Sequence, residues 1–270
     1  MAETSNRIEI AFSRLKTEGR KAFVAYIAAG DPSLDQTVEI VAALERSGVD
    51  IVELGVPFSD PVADGIVNQL AADRALKAGA TTRGVIETIK AIRERSQIPI
   101  VLFTYLNPIY AYGYEQFHRD AHQAGADGIL VLDLPPDEAA ENAELKPVAG
   151  LNHIQLIAPT TPEDRIPSIA AKAEGFIYYV SRLGVTGARG DIPQGISEQV
   201  DRIKQHSEVP VCVGFGISSP EQAAQVAAKA DGVVVGSAIV KLIEQHGSDA
   251  DLPSRVEAFV KPLVHGAKGA

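Results

Sequence analysis

The segment VDIVELG (residues 49–55) contains the feature that decides how the fold is interpreted. Most of its residues are Val, Ile or Leu, a short apolar run that is typical of a strand buried on both faces of a parallel sheet. Glu53 places a carboxyl group near the middle of this run. Such a carboxyl either faces a functional cavity or pairs with a Lys or Arg in the interior. Which of the two explanations applies depends on the kind of sheet that contains the strand.

Similar apolar runs recur along the whole chain, at 23–30, 98–105, 127–134, 153–158, 175–181, 209–216 and 231–237. Segments with apolar residues at helical spacing separate them, for example DQTVEIVAALERSG (35–48) and TTRGVIETIKAIRERS (81–96). About eight strands that alternate with helices predict an α/β fold, a (β/α)8 TIM barrel that forms a single domain over residues 1–270. The alternative is an open doubly wound sheet, but no G-x-G-x-x-G turn follows the first strand.

Two further helices are expected in addition to those that alternate with the strands. FSRLK (12–16) predicts an extra N-terminal helix that covers the barrel bottom, and LPSRVEAFVKPLV (252–264) predicts a peripheral helix. In a TIM barrel, side chains at the carboxyl ends of the strands form the active site. Glu53 is close to the end of its strand, so we expect it to point towards the mouth of the barrel.

Composition disfavours some classes of partner. The net charge of −10 disfavours nucleic acids and anionic membranes, which both require a basic face. No apolar run is long enough to cross a bilayer, and the N-terminus lacks the pattern of a signal peptide. Cys212 is the only cysteine, so an intramolecular disulfide is impossible and a reducing compartment is the default. These features together predict a cytoplasmic protein.

Glycine-bearing segments follow three of the later strands. In GFGISSPEQ (214–222) and GSAIVK (236–241), Gly216, Gly236 and Ser237 are able to offer N–H groups to a phosphate at the start of a helix. The simpler interpretation is that they serve only as turns and helix caps. The segment GVTGARGDIPQG (184–195) is interpreted either as a loop that closes over substrate or as an ordinary flexible loop.

Metal binding is not expected. His118 and His122 have the i, i+4 spacing of a zinc pair, but no further ligand motif accompanies them, and the segment reads as a solvated helix face. Cys212 lies between valines and is interpreted as a core residue.

Four segments resemble the signature sequences of the tryptophan synthase alpha-chain family. They are ELGVPFSDPVADG (53–65), SRLGVTGARG (181–190), GFGISSPEQ (214–222) and GSAIVKLIE (236–244), and the resemblance covers residues 8 to 245. It implies a (β/α)8 barrel that cleaves indole-3-glycerol phosphate to indole and glyceraldehyde 3-phosphate without a metal or cofactor of its own. It also implies a beta-chain partner that carries pyridoxal phosphate, in an alpha2-beta2 complex.

The resemblance assigns roles to individual residues. Glu53 matches the catalytic acid and base, and Asp64 matches the carboxylate that binds the indole N–H. Positions that line the substrate pocket are matched by Tyr26, Phe103, Tyr105 and Tyr178, the lid threonine by Thr186, and the phosphate ligands by Gly187, Gly216, Gly236 and Ser237. Positions on the beta-chain face are matched by Asp60, Asn107, Asp133 and Pro135.

One departure bears on the partner. The family usually has proline after the position of Gly65, whereas this chain has Ile66, which leaves the loop more conformational freedom. A stand-alone lyase that releases free indole is therefore kept as an alternative. The residues also leave open a binding subunit without catalytic activity and another phosphosugar barrel enzyme, because one fold supports many reactions.

Overall fold

The computed structural model describes residues 6–141, 150–181, 195–214 and 216–269. The strands are β1 (Ala22–Ala28), β2 (Ile51–Gly55), β3 (Ile100–Thr104), β4 (Gly128–Val131), β5 (Asn152–His153), β6 (Gln155–Ile157), β7 (Ile177–Val180), β8 (Val211–Gly214) and β9 (Gly232–Val235). The helices are α1 (Arg7–Thr17), α2 (Leu34–Arg46), α3 (Ile66–Lys77), α4 (Thr82–Arg93), α5 (Leu106–Tyr112), α6 (Tyr114–Ala124), α7 (Pro136–Glu141), α8 (Ile166–Ala170), α9 (Ile196–Lys204), α10 (Pro220–Ala227), α11 (Ser237–His246) and α12 (Leu252–Lys268).

All the paired strands are parallel, in the order β5-β4-β3-β2-β1-β9-β8-β7-β6. The two ends of this order are neighbours in the chain, because only Ile154 separates β5 from β6. β5 pairs with β4 and β6 pairs with β7, so the sheet wraps into a nearly closed barrel. The predicted strand at 153–158 is thus present as two short pieces, and the predicted TIM barrel is confirmed.

Alternation along the strands sorts the apolar side chains into two groups. One group, which includes Val24, Val101 and Val234, fills the barrel interior, while the other, which includes Val52 and Leu54, packs under the surrounding helices. Ile8 of α1 belongs to the interior group, so α1 covers the barrel bottom as predicted. α12 lies against α10 and α2 on the outside, and it continues beyond the predicted segment to Lys268.

Carboxylates hold the beginnings of several strands at the bottom of the barrel. Asp127 accepts the backbone N–H of Ile100 at 2.8 Å and forms ion pairs with Arg7 at 2.9 Å and Arg93 at 2.8 Å. Asp50 and Asp231 accept the N–H groups of Phe23 and Val211 in the same way. These bonds satisfy donors that the strand ladder leaves unpaired, so they favour the closed sheet.

The sequence patterns do not predict α3, α5 or α8. In α3 the buried residues are Ala71, Ala72 and Ala75, and such short side chains give a weak periodic signal. No helix in the described part of the chain is both long and apolar enough to span a membrane.

Candidate active site

Glu53 is the third of the five residues of β2, and its side chain faces the barrel interior. Its neighbours across the sheet are Tyr26 on β1 and Val101 on β3, and both belong to the interior group. The side chain is fully buried, and neither carboxyl oxygen has a hydrogen-bond partner among the described residues. An interior ion pair with Lys or Arg, the alternative explanation of this carboxyl, is therefore not found in that part of the chain. Glu53 lies deeper than predicted, two residues before the mouth end of its strand.

Burial raises the pKa of Glu53 from 4.5 to about 8. The cause is loss of hydration, since a carboxylate in an apolar cavity without donors is less stable than the neutral acid. At neutral pH most of the Glu53 side chains are protonated. A carboxyl group with this pKa is able to give up and take back a proton under physiological conditions.

The rings of Tyr26 and Tyr178 extend from the interior towards the mouth. A Cβ atom at Gly55 would lie 2.6 Å from the Tyr26 hydroxyl, and one at Gly214 would lie 2.8 Å from the Tyr178 hydroxyl. Glycine is needed at both strand ends because any side chain would displace these rings. Burial is the main cause that raises the pKa of each tyrosine well above 10, and the charges of Glu53 and Asp64 add to it. Both hydroxyls therefore remain neutral, and both carboxyl groups are close enough to influence them.

Asp64 lies in the loop between β2 and α3, and it is half-buried. Its carboxylate accepts a hydrogen bond from the Tyr105 hydroxyl at 2.7 Å and one from the Asn68 side-chain amide at 3.4 Å. Burial raises the pKa of Asp64, and the bonds from Tyr105 and Asn68 oppose this rise. Two polar donors thus help to keep an acid ionised in a cavity that would otherwise favour its neutral form.

The loop that carries Asp64 is held by Tyr105 and by two residues to which the sequence analysis assigns no role, Asn68 and Gln69. The Tyr105 hydroxyl accepts the backbone N–H of Ala63 at 3.1 Å, so Tyr105 binds the loop at two points. Gln69 of α3 donates to the backbone carbonyl of Asp64 at 2.8 Å, and Asn68 binds its carboxylate. The i, i+4 spacing of Asp64 and Asn68 would have been a usable signal, but only if α3 had been predicted.

A narrow recess lies at the mouth beside this loop. Its lining includes Tyr26, Asp64, Phe103 and Tyr105, so the structure brings together four of the predicted site residues. The rings of Tyr26 and Phe103 meet edge to face with centroids 4.9 Å apart. Phe58, which the sequence analysis did not single out, adds a ring 5.4 Å from that of Tyr105. Such an aromatic lining with one carboxylate suits a flat apolar ligand that carries an N–H group.

The glycine-bearing strand ends lie on the opposite side of β1 from Asp64. β8 and β9 are adjacent strands, so Gly216 and Gly236 follow neighbouring carboxyl ends. α11 begins at Ser237, and Gly236 before it provides no side chain to cap the helix. The N–H groups of this first turn suit an anion. Thr186 and Gly187 lie outside the described residues.

The residues predicted to contact a partner follow three adjacent strands. Asp60 comes after β2, Asn107 after β3, and Asp133 and Pro135 after β4. Asp60, Asn107 and Asp133 are exposed, and the carboxylate of Asp133 accepts the N–H of Leu106 at 2.7 Å. They form one sector of the mouth. Beside it, Ile66 is the first residue of α3 and has 66% of its surface exposed.

The interpretation of HRDAH as a solvated helix face is wrong for His118. His122 is exposed, but His118 is fully buried and its ring stacks on that of His153 with centroids 5.7 Å apart. His118 lies on the buried face of α6, together with Phe117 and Ala121, whereas His122 lies on the exposed face. In the described ranges no three His, Cys, Asp or Glu side chains form a metal cluster. Cys212 is buried in the interior, as predicted.

Several known proteins are similar to this chain over nearly its whole length. The family model described as tryptophan synthase alpha chain matches residues 12–267. The tryptophan synthase alpha chain of Citrifermentans bemidjiense is 50% identical over 261 residues, 97% of each chain. That of Geobacter sulfurreducens is 52% identical over 258 residues, 96% of this chain and 97% of the relative. The crystal structure of tryptophan synthase subunit alpha from Legionella pneumophila superposes with a TM-score of 0.89 at 38% identity, covering 98% of this chain and 99% of that one.

Proposed function

The chain belongs to the tryptophan synthase alpha-chain family and is thus an enzyme of tryptophan biosynthesis, and we propose that it is a carbon–carbon lyase. The reaction is the retro-aldol cleavage of indole-3-glycerol phosphate to indole and glyceraldehyde 3-phosphate. The observation that carries the proposal is Glu53, a buried carboxyl inside the barrel with no described partner and a pKa of about 8.

The reaction needs one proton to enter and one to leave. Glu53, protonated at neutral pH, delivers its proton to C3 of the indole ring, which makes the ring an electron acceptor. The bond between C3 and the glycerol chain then breaks, and its electron pair neutralises the ring. The hydroxyl on the departing carbon loses its proton to the Glu53 carboxylate and becomes the aldehyde. Glu53 is protonated again at the end, so the same group serves as acid and base.

Asp64 stabilises the positive charge that develops on the indole nitrogen when C3 is protonated. Its carboxylate lies in the aromatic recess and is kept ionised by Tyr105 and Asn68. A fixed charge next to a developing charge acts strongly in a site from which water is largely excluded. The rings of Tyr26, Phe103, Tyr105 and Tyr178 hold the indole between them.

The phosphate of the substrate binds at the start of α11. Gly216, Gly236 and Ser237 supply N–H groups there, and the helix dipole favours the anion. The family resemblance also assigns Gly187 to the phosphate ligands and Thr186 to a contact with Asp64, and both residues lie outside the described part of the chain. No metal or cofactor of this chain enters the proposed chemistry.

A beta chain receives the indole, in an alpha2-beta2 complex in which pyridoxal phosphate belongs to the beta chain. The face formed by Asp60, Asn107, Asp133 and Pro135 is the proposed contact. Val62 and Ile66, which are 83% and 66% exposed, place apolar surface next to Asp60 and support a partner at this position. This surface argues against the alternative of a stand-alone lyase.

The test is to incubate the chain with indole-3-glycerol phosphate, alone and with a beta chain, and to measure indole and glyceraldehyde 3-phosphate. We expect both products in equal amounts, with faster turnover in the presence of the beta chain. Absence of both products under both conditions would refute the proposal. Size-exclusion chromatography of the mixture separates the two alternatives, because a stand-alone lyase would elute apart from the beta chain.

A further inference from the structure

Arg74 connects three elements around the mouth of the barrel. It lies in the second half of α3, and its guanidinium group donates to both carboxylate oxygens of Asp31, at 3.0 and 2.7 Å. Its remaining terminal nitrogen donates to Glu244 of α11 at 3.0 Å. The Asp31 side chain is 3% exposed and that of Arg74 is 28% exposed, so this is not a solvated surface pair. A bidentate pair between a guanidinium group and a carboxylate fixes the relative orientation of the two side chains as well as their distance.

The loop that carries Asp31 is packed between the same two helices. A Cβ atom at Gly30 would lie 2.6 Å from the Cβ atom of Ala80, just after α3. On the other side, one at Gly247, just after α11, would lie 3.3 Å from Pro32. The loop is therefore in close contact with the chain just after both helices, and Arg74, Asp31 and Glu244 link α3 to α11 at the same place.

The two helices carry opposite ends of the candidate site. The first turn of α3 holds Asp64 through Asn68 and Gln69, and this is the end that would meet the indole ring. The first turn of α11 begins at Ser237, after Gly236, and this is the end that would meet the phosphate. A substrate that spans both ends reacts only if the distance between them matches its own length.

We propose that Arg74 is a positioning residue that sets the separation between the indole end and the phosphate end of the site. It acts through Asp31 and Glu244 and touches no reacting atom. The inference rests on the proposed function, because it assumes one substrate that occupies both ends.

The alternative is that the network only stabilises the fold. Ligands that occupy one end distinguish the two roles. Inorganic phosphate tests the cradle on α11, free indole tests the aromatic recess, and indole-3-glycerol phosphate tests both at the correct spacing. A positioning role predicts that the intact substrate is affected much more than either single-end ligand.

Removing Arg74 alone would leave the buried Asp31 charge unpaired and endanger the fold. The test therefore uses the double variant Asp31→Asn/Arg74→Met, which removes both charges of this buried pair. Two single variants accompany it, Glu244→Gln and the conservative Arg74→Lys. Arg95→Met is the matched control, because Arg95 forms an exposed pair with Glu39 away from the mouth. All are measured well below the Tm of each variant.

For the double variant we expect kcat/KM for the intact substrate to fall by ~10- to 10²-fold, the loss expected for a displacement of about 1 Å, while the Kd values of phosphate and indole change less than about twofold. We expect an intermediate loss for Arg74→Lys, a smaller loss through KM for Glu244→Gln, and none for Arg95→Met.

Two results would overturn the inference while the parent chain remains active. One is an unchanged kcat/KM in the double variant with only a lower Tm, and the other is a parallel loss of phosphate or indole binding. If the parent releases no indole, with or without a beta chain, the proposed function fails and the inference falls with it.

Discussion

Replacement of Glu53 by Gln is expected to change catalysis and stability in opposite directions. The side chain is fully buried and burial raises its pKa from 4.5 to about 8. Gln has nearly the same shape but does not ionise and has no acidic proton to deliver. We expect Glu53→Gln to lower turnover of indole-3-glycerol phosphate by at least ~10²-fold, the effect of a lost general acid and base.

The same change is expected to stabilise the fold at neutral pH. Between pH 4.5 and 8 the folded chain keeps a proton on Glu53 that the unfolded chain releases, so stability falls as the pH rises through this window. At about 1.4 kcal/mol per pH unit the full loss is about 5 kcal/mol, of which about 3 kcal/mol has been reached at pH 7. Glu53→Gln removes this loss, and its advantage should vanish near the unfolded pKa of 4.5.

The assay is urea unfolding of parent and variant at a series of pH values from 5 to 8.5, together with the pH profile of kcat/KM. For the parent we expect kcat/KM to fall above pH 8, as Glu53 loses its proton. Glu87→Gln is the matched control, because Glu87 is an exposed residue of α4 paired with Lys90, and no change is expected in activity or in the pH slope of stability. Parental turnover in Glu53→Gln, or a stability difference that does not grow with pH, would refute the reasoning.

Four further predictions follow from the described contacts. Asp64→Asn removes the charge that we propose to lie beside the indole nitrogen, so kcat in the indole-release assay should fall by ~10²- to 10³-fold with the fold retained. Tyr105→Phe removes a bond that lowers the pKa of Asp64, so the acid limb of kcat/KM should move to higher pH, as a pH-rate profile would record. Gly55→Ala places a Cβ atom 2.6 Å from the Tyr26 hydroxyl, and urea unfolding should show a loss of about 1–3 kcal/mol with weaker substrate binding. Asp127→Asn breaks a buried network with two arginines and should cost about 3–5 kcal/mol in the same unfolding experiment, with kcat per folded molecule unchanged.

Much of the barrel is predictable because its signals are local. Each strand is a short run of β-branched residues buried on both faces, and such runs alternate with amphipathic helices along the chain. Helices whose buried face is made of alanine give a weaker periodic signal, so the sequence patterns do not predict α3. Asn68 and Gln69 are not predicted as site residues either, because their contacts with Asp64 depend on this helix.

The sequence alone determined the barrel, the carboxyl at position 53 within a strand, and the glycines after the last strands, since periodicity and residue type encode these features directly. Only the tertiary structure decided that Glu53 lies deep in the interior with no described partner, that Tyr105 binds the loop of Asp64, and that His118 is buried. It also joined Arg74 to Asp31 and Glu244, which are far apart in the chain. The physical reason is that a pKa shift, a hydrogen bond or a buried ion pair depends on contacts between residues that are distant in the sequence. Local sequence patterns carry no information on those contacts.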